Sequence, residues 1–126
     1  MRRLPLLTAA LALGTALVLT GCGGDDGGGV DGGGVADAAP VTGVTQVTAK
    51  DNRFTPAAIQ VPAGTTVTWA FKDGFVPHDV VADGFNSGKP RRKGTFAHTF
   101  DRPGTYAYRC TIHDGMTGRV VVTAAS

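Results

Sequence analysis

From Val41 onward, the sequence is a series of short runs in which apolar and polar residues alternate, separated by glycine and proline. The clearest run, Thr65–Phe71, places Val67, Trp69 and Phe71 on one face. Alternation with a period of two residues predicts a strand with one buried face. Seven or so such strands in about 85 residues, without a helical period, predict an all-β sandwich or small barrel. The other predicted strands are Val44–Ala49, Ile59–Val61, His78–Ala82, Thr95–Phe100, Thr105–Cys110 and Thr117–Thr123.

The N-terminal residues have the features of an export signal. Two arginines precede a mostly apolar run, Leu4–Leu19, which leads into the tetrapeptide LTGC that ends at Cys22. This tetrapeptide resembles the lipobox of bacterial lipoproteins, which implies a signal peptide at residues 1–21 and a lipid on Cys22. Three alternatives remain open: a transmembrane anchor, for which the run is short, an ordinary cleaved signal, and a disulfide between Cys22 and Cys110.

The segment that follows Cys22 is rich in glycine, alanine and aspartate and contains no aromatic residue. Such a segment buries too little apolar surface to offset its chain entropy, so residues 22–40 are predicted to be a flexible tether. With a lipid on Cys22, the tether would hold the folded domain, residues 41–126, on a membrane surface. We therefore expect a protein outside the cytoplasm, on the outer face of the cell membrane or in the periplasm.

The charge of the chain excludes one class of partner. The formal net charge is +2, and it falls to zero when the two arginines of the signal are removed. The segment from Val41 onward carries ten Lys and Arg residues against six Asp residues. This excess is too small for a nucleic-acid-binding protein.

Four side chains form a candidate metal site. Cys110, His113 and Met116 lie in the pattern Cys-x-x-His-x-x-Met, and His78 lies 32 residues before the cysteine. Two imidazoles, one thiolate and one thioether favour a single copper ion that alternates between Cu(I) and Cu(II). Zinc sites rarely use methionine, and the Cys-x-x-Cys-His motif of haem attachment is absent. Each residue taken alone is explained better by core packing or a turn than by a metal, whereas packing does not explain all four together.

The segment from about Val44 to Val122 resembles the cupredoxins, in particular the plastocyanin and amicyanin group. The residues that carry the resemblance are Phe54–Pro56, Val76–Val80 and Pro103–His113, with the short spacing from His113 to Met116 typical of amicyanin. The resemblance implies a Greek-key β-sandwich of about seven to eight strands with one copper ion at the four residues named above. It also implies a one-electron carrier with redox partner proteins that are not identified. We expect a monomer and not an enzyme, because no nucleophile–base pair is apparent in the sequence. The alternative function is copper binding or delivery without electron transfer.

Further expectations concern residues around the site. Asp79 stands where the family commonly has asparagine, and an ionised carboxylate near the metal would favour Cu(II). The resemblance implies that His113 lies nearest to solvent, with Met116, Phe75 and Pro77 as an apolar docking patch.

His98 is expected to be a strand residue with a local hydrogen bond rather than a second metal site. The basic run Lys89–Lys93 is interpreted as a solvated loop, with electrostatic steering towards an acidic redox partner or anionic lipid headgroups as the alternative.

Overall fold

The computed structural model of the protein describes residues 38–125. The expected signal peptide, Cys22 and the tether up to residue 37 lie outside the described residues. Within residues 38–125 the chain forms strands, turns and loops and no helix, which confirms the all-β prediction. No helix in this part of the chain is long and apolar enough to cross a membrane.

In the described part of the chain, eight strands form two four-stranded sheets that enclose one hydrophobic core. The strand order is β1-β4-β8-β7 in the first sheet and β3-β2-β5-β6 in the second. The strands are β1 (Val41–Thr42), β2 (Gln46–Lys50), β3 (Arg53–Thr55), β4 (Ala58–Pro62), β5 (Thr65–Phe71), β6 (Gly94–Phe100), β7 (Gly104–Arg109) and β8 (Thr117–Thr123).

The core is built from the alternating residues that the sequence displays. Val67, Trp69 and Phe71 on β5 are all buried, as their shared face predicts. The Trp69 ring lies 5.3 Å from the ring of Tyr108 on β7 and 5.6 Å from that of Phe96 on β6, measured between centroids. The contact between Trp69 and Tyr108 joins the two sheets, so that aromatic packing fixes the distance between them.

The predicted strand at His78–Ala82 is not present. This segment forms isolated bridges with three different partners, and the Ser87 hydroxyl accepts a hydrogen bond from the Val80 amide at 2.8 Å. His78, Asp79 and Val80 are all buried, whereas a regular strand would turn the middle residue to the opposite face. The irregular backbone is what places three consecutive side chains inside the protein.

The register of the strands shows where the chain enters the domain. Strands β1, β4 and β8 are parallel to one another, and β8 begins directly after Met116. The backbone that precedes Val41 therefore reaches the sandwich at the end that carries Met116. Arg119 on β8 holds it there, because the Nη2 atom of Arg119 donates a hydrogen bond of 2.8 Å to the carbonyl of Ala38.

Candidate metal centre

Cys110 and Met116 lie at the two ends of the loop between β7 and β8. The Cys110 amide donates a hydrogen bond of 2.9 Å to the Met116 carbonyl, and the Met116 amide donates one of 3.3 Å to the His113 carbonyl. These bonds close the loop, so that residues six positions apart become neighbours. Both side chains are almost completely buried, while that of His113 is partly exposed.

His78 reaches the same place from the long connection between β5 and β6. The backbones of Val81 and Arg109 exchange two hydrogen bonds of 2.9 Å, which join this connection to the strand that ends next to Cys110. The Cys110 Sγ atom lies 4.0 Å from Nδ1 of His78 and 3.8 Å from Nδ1 of His113. The three donor atoms all lie within 4.8 Å of one another. Both imidazoles therefore present the same nitrogen to the thiol.

Asp73 fixes the orientation of the His78 ring. The Nε2 atom of His78 lies 3.1 Å from Oδ2 of Asp73. Because a carboxylate only accepts hydrogen bonds, Nε2 carries the proton and Nδ1 keeps a free lone pair on the side of Cys110. The backbone amides of Asp51, Phe75 and Val76 also point to this carboxylate.

The position of Asp73 also explains its acidity. The hydrogen bond from His78 is the main cause that lowers the pKa of the Asp73 carboxyl from 3.8 to about 2, although partial burial opposes the shift. The sequence interpretation missed this residue. The only signal was an aspartate five positions before a candidate ligand, and spacing alone does not show that the intervening loop folds back on itself.

Asp79 has a structural partner rather than a free carboxylate. Oδ1 of Asp79 accepts a hydrogen bond of 2.6 Å from the amide of Thr111, and Oδ2 accepts another from the hydroxyl of the same residue. Thr111 directly follows Cys110, and Asp79 directly follows His78. The pair therefore ties together the two segments that carry the candidate ligands.

The exposed apolar surface at the metal-binding end of the sandwich does not include Met116, one of the three residues predicted to form it. Phe75 is 89 % exposed and Pro77 is half-buried, as a docking patch requires, but Met116 is only 2 % exposed. The closed loop turns the thioether side chain inwards. Ile112, which is 46 % exposed, is the apolar residue of the loop that faces solvent.

His98 lies apart from this cluster. Its ring stacks on Phe85 at 4.6 Å and meets the edge of Phe100 at 4.8 Å, measured between centroids. It takes no part in the group of potential metal ligands that the described residues form. Aromatic packing, rather than the expected local hydrogen bond, accounts for its position.

The donor atoms fit a single first-row metal ion. An ion bonded at roughly 2.3 Å to sulfur and 2.0 Å to nitrogen, with an angle of about 120° between the bonds, separates the two donors by about 3.7 Å. The observed separations of 3.8 and 4.0 Å are close to this value. Two imidazoles and one cysteine, with a methionine in the same loop, form the donor set that copper prefers.

We expect that an Asp73→Asn substitution weakens copper binding by about 10- to 100-fold, the usual effect of losing a carboxylate that orients a metal-binding histidine. The side-chain oxygen of the new asparagine can accept the hydrogen bond from Nε2 of His78. The amide can also turn its N–H group towards the ring, and this hydrogen bond is then lost. Competition with a copper chelator measures the dissociation constant. Asp83→Asn is the control, because Asp83 is exposed. Equal affinities of the two variants would show that Asp73 does not position His78.

Comparisons with known proteins agree with this geometry. A sequence model of copper binding proteins, the plastocyanin/azurin family, matches residues 41–123. Halocyanin from Natronomonas pharaonis is 43% identical over 77 residues, which are 55% of this chain and 47% of halocyanin. The chain thus spans about half the length of that relative. Amicyanin-alpha from Methylorubrum extorquens is 34% identical over 90 residues, which are 64% of this chain and 72% of the relative.

The fold is likewise similar to solved structures. A purple cupredoxin from Nitrosopumilus maritimus superimposes with a TM-score of 0.58 at 30% sequence identity. The match covers 64% of this chain and 100% of the solved chain. Amicyanin from Paracoccus versutus superimposes with a TM-score of 0.56 at 28% identity, over 71% of this chain and 88% of that one.

Proposed function

Because the chain belongs to the plastocyanin/azurin family of copper-binding proteins, which it matches over residues 41–123, we propose that it is a one-electron carrier. Its cofactor is one copper ion. The observation that supports the proposal best is the convergence of the Cys110 thiol and one ring nitrogen from each of His78 and His113 within 4.8 Å of one another. This donor set, with a nearby methionine, is typical of copper sites that transfer electrons.

The proposal assigns the copper to His78, Cys110, His113 and Met116. Copper supplies a one-electron couple when it is bound, and the chain supplies a fixed set of donors. His78 is held by Asp73, and the ends of the Cys110–Met116 loop are held by backbone hydrogen bonds. Donors that cannot move keep the same arrangement in both oxidation states, so that little rearrangement accompanies each transfer.

His113 is the proposed entry point for electrons. It is the partly exposed member of the three-donor group, whereas His78 and Cys110 are buried. Phe75 and Ile112 provide exposed apolar surface in the two ligand-bearing segments. A small apolar area around a partly exposed ligand allows close approach of a partner without the cost of desolvating charges.

The location outside the cytoplasm and the lipid on Cys22 belong to the same proposal. They are supported by the apolar N-terminal run and the LTGC tetrapeptide. The parallel register of β1, β4 and β8 adds that a tether attached before Val41 leads to the metal-binding end of the sandwich. We expect the parent chain to incorporate a labelled fatty acid in cells and a Cys22→Ser chain to incorporate none. A parent chain without label would contradict the lipid.

Electron transfer and copper delivery predict different behaviour of the copper-loaded protein. We expect a reversible one-electron wave in voltammetry and slow loss of copper to a chelator, because three of the four proposed ligands, His78, Cys110 and Met116, are buried. Both measurements use the same sample, and the copper-free protein is the control. Rapid loss of copper without a reversible wave would contradict the proposal and would support delivery instead.

A further inference from the structure

Basic residues gather in the segment that leads from His78 back to β6. Four of the five residues from Lys89 to Lys93 are lysine or arginine. The segment is attached directly to a candidate copper ligand, because the amide of His78 donates to the carbonyl of Arg91 at 3.0 Å and the amide of Arg91 donates back at 2.9 Å. The position of this charge relative to the metal centre is therefore fixed by the backbone.

Arg91 has a structural role that its neighbours do not share. Its guanidinium donates to the carbonyl of Ser87 at 2.6 Å and to that of Thr95 at 3.1 Å. The central carbon of the guanidinium also lies 5.5 Å from the centroid of the Phe71 ring. Arg91 thus holds the loop in shape, and the other basic side chains of the loop are exposed to solvent.

A further cation extends this surface. Lys72 is exposed and directly follows β5, whose last residue, Phe71, pairs with Gly94 at the end of the basic loop. We use the name basic surface for Lys72, Lys89, Arg92 and Lys93.

The acidic residues form no ion pairs with the basic surface within residues 38–125. The one ion pair between a lysine or arginine and a carboxylate in this part of the chain is Lys50 with Asp51. Asp73 and Asp79 are buried and hydrogen-bonded to other groups. Asp83 and Asp114 are exposed, but among the described residues neither forms an ion pair with the basic surface. The basic surface therefore presents four positive charges without an ion-pair partner, next to the segment that carries His78.

We propose that the basic surface docks an acidic face of a protein that exchanges electrons with this one. This inference rests on the proposed function and names the chemistry of the partner. An electron partner has to approach the end of the sandwich that carries His113, and the basic surface flanks the segment that carries the other histidine. Positive potential at this place raises the rate at which an acidic partner arrives in a productive orientation.

The test compares the copper-loaded protein with a Lys89→Ser/Arg92→Ser/Lys93→Ser variant. Arg91 stays in place, so that the loop keeps its hydrogen bonds. The probes are a reduced acidic [2Fe–2S] ferredoxin and hexaammineruthenium(II), a small cationic reductant. We expect the variant to react with the ferredoxin about tenfold or more slowly at low salt and with a weaker salt dependence. The rate with the cationic reductant should stay the same or rise.

A matched pair of single variants removes the same charge at the two ends of the sandwich. Arg92→Ser lies in the basic surface, whereas Arg102→Ser lies in the exposed turn between β6 and β7, at the opposite end from Cys110. Only Arg92→Ser should slow the reaction with ferredoxin. If the two variants slow the reaction equally, the rate depends on the net charge of the protein and not on the place of the basic surface. That result would overturn the proposal.

Three other outcomes would also overturn it. If the triple variant reacts with ferredoxin at an unchanged rate but no longer binds vesicles of anionic phosphatidylglycerol, the basic surface binds lipid headgroups instead. If neither reductant reduces the unmodified protein, the proposed function is wrong, and the docking inference with it. If hexaammineruthenium(II) reduces the protein and the triple variant changes neither the ferredoxin rate nor vesicle binding, the docking surface alone is refuted.

Discussion

A Cys110→Ser variant is expected to lose the intense visible colour of the Cu(II) protein and to bind Cu(I) at least about 100-fold more weakly. A soft thiolate gives copper its strongest bond in this donor set, and a serine hydroxyl is a hard, poorly ionised replacement. Loss of a residue that only hydrogen-bonds to a metal ligand typically weakens metal binding by about 10- to 100-fold, so loss of a direct ligand should weaken it more. Visible absorption and chelator competition measure the two effects.

The chain provides a matched control for this substitution. Its only other cysteine is Cys22, which a lipid or a disulfide would consume. Cys22→Ser should keep both colour and affinity, since the three-donor group contains only Cys110. A Cys110→Ser protein with unchanged colour would contradict the assignment. A parent protein that becomes coloured only after the Cys22→Ser substitution would point to a disulfide between the two cysteines, because the substitution would free the Cys110 thiol.

A Gly118→Ala substitution is expected to destabilise the domain by about 3 kcal/mol, the upper part of the usual range for overpacking. Gly118 pairs with Tyr108 across β8 and β7. A Cβ atom at this position would lie 2.7 Å from Cε2 of Tyr108 and closer still to Cζ and Oη. The ring cannot move aside, because it packs against Phe54 at 4.8 Å and Trp69 at 5.3 Å.

Denaturant unfolding measures this effect, and two further variants identify its cause. Gly84→Ala is the control, because a Cβ atom there has no neighbour within 4 Å, and it should stay within about 0.5 kcal/mol of the parent. Combining Gly118→Ala with Tyr108→Leu should recover part of the loss in a double-mutant cycle. A Gly118→Ala protein as stable as the parent would show that the Tyr108 ring does not pack closely against Gly118.

The sequence predicted those parts of the fold in which one face of a strand is buried. The bounds of β5 and β8 agree with the predicted runs, because seven alternating residues define a period clearly. Strands β1 and β3 were not predicted, since two or three residues carry no recognisable period. The segment at His78–Ala82 has the composition of a strand, but hydrogen bonds to three separate partners hold it in an irregular path.

The candidate metal centre was predicted from residue type and spacing. Cys110, His113 and Met116 are close in sequence, and a short loop can bring them together wherever it lies. The supporting contacts could not be predicted in the same way. Asp73 reaches His78 only because the backbone turns sharply between them, and Asp79 meets Thr111 across 32 residues of chain.

The central claim is that one copper ion lies between His78, Cys110 and His113, with Met116 as the fourth ligand. Anomalous diffraction at the copper absorption edge, from crystals of the copper-loaded protein, tests it directly. We predict one strong peak within bonding distance of the Cys110 Sγ atom and the Nδ1 atoms of the two histidines, with the Met116 sulfur next nearest. A peak at His98 or elsewhere on the surface, with none between these three atoms, would contradict it.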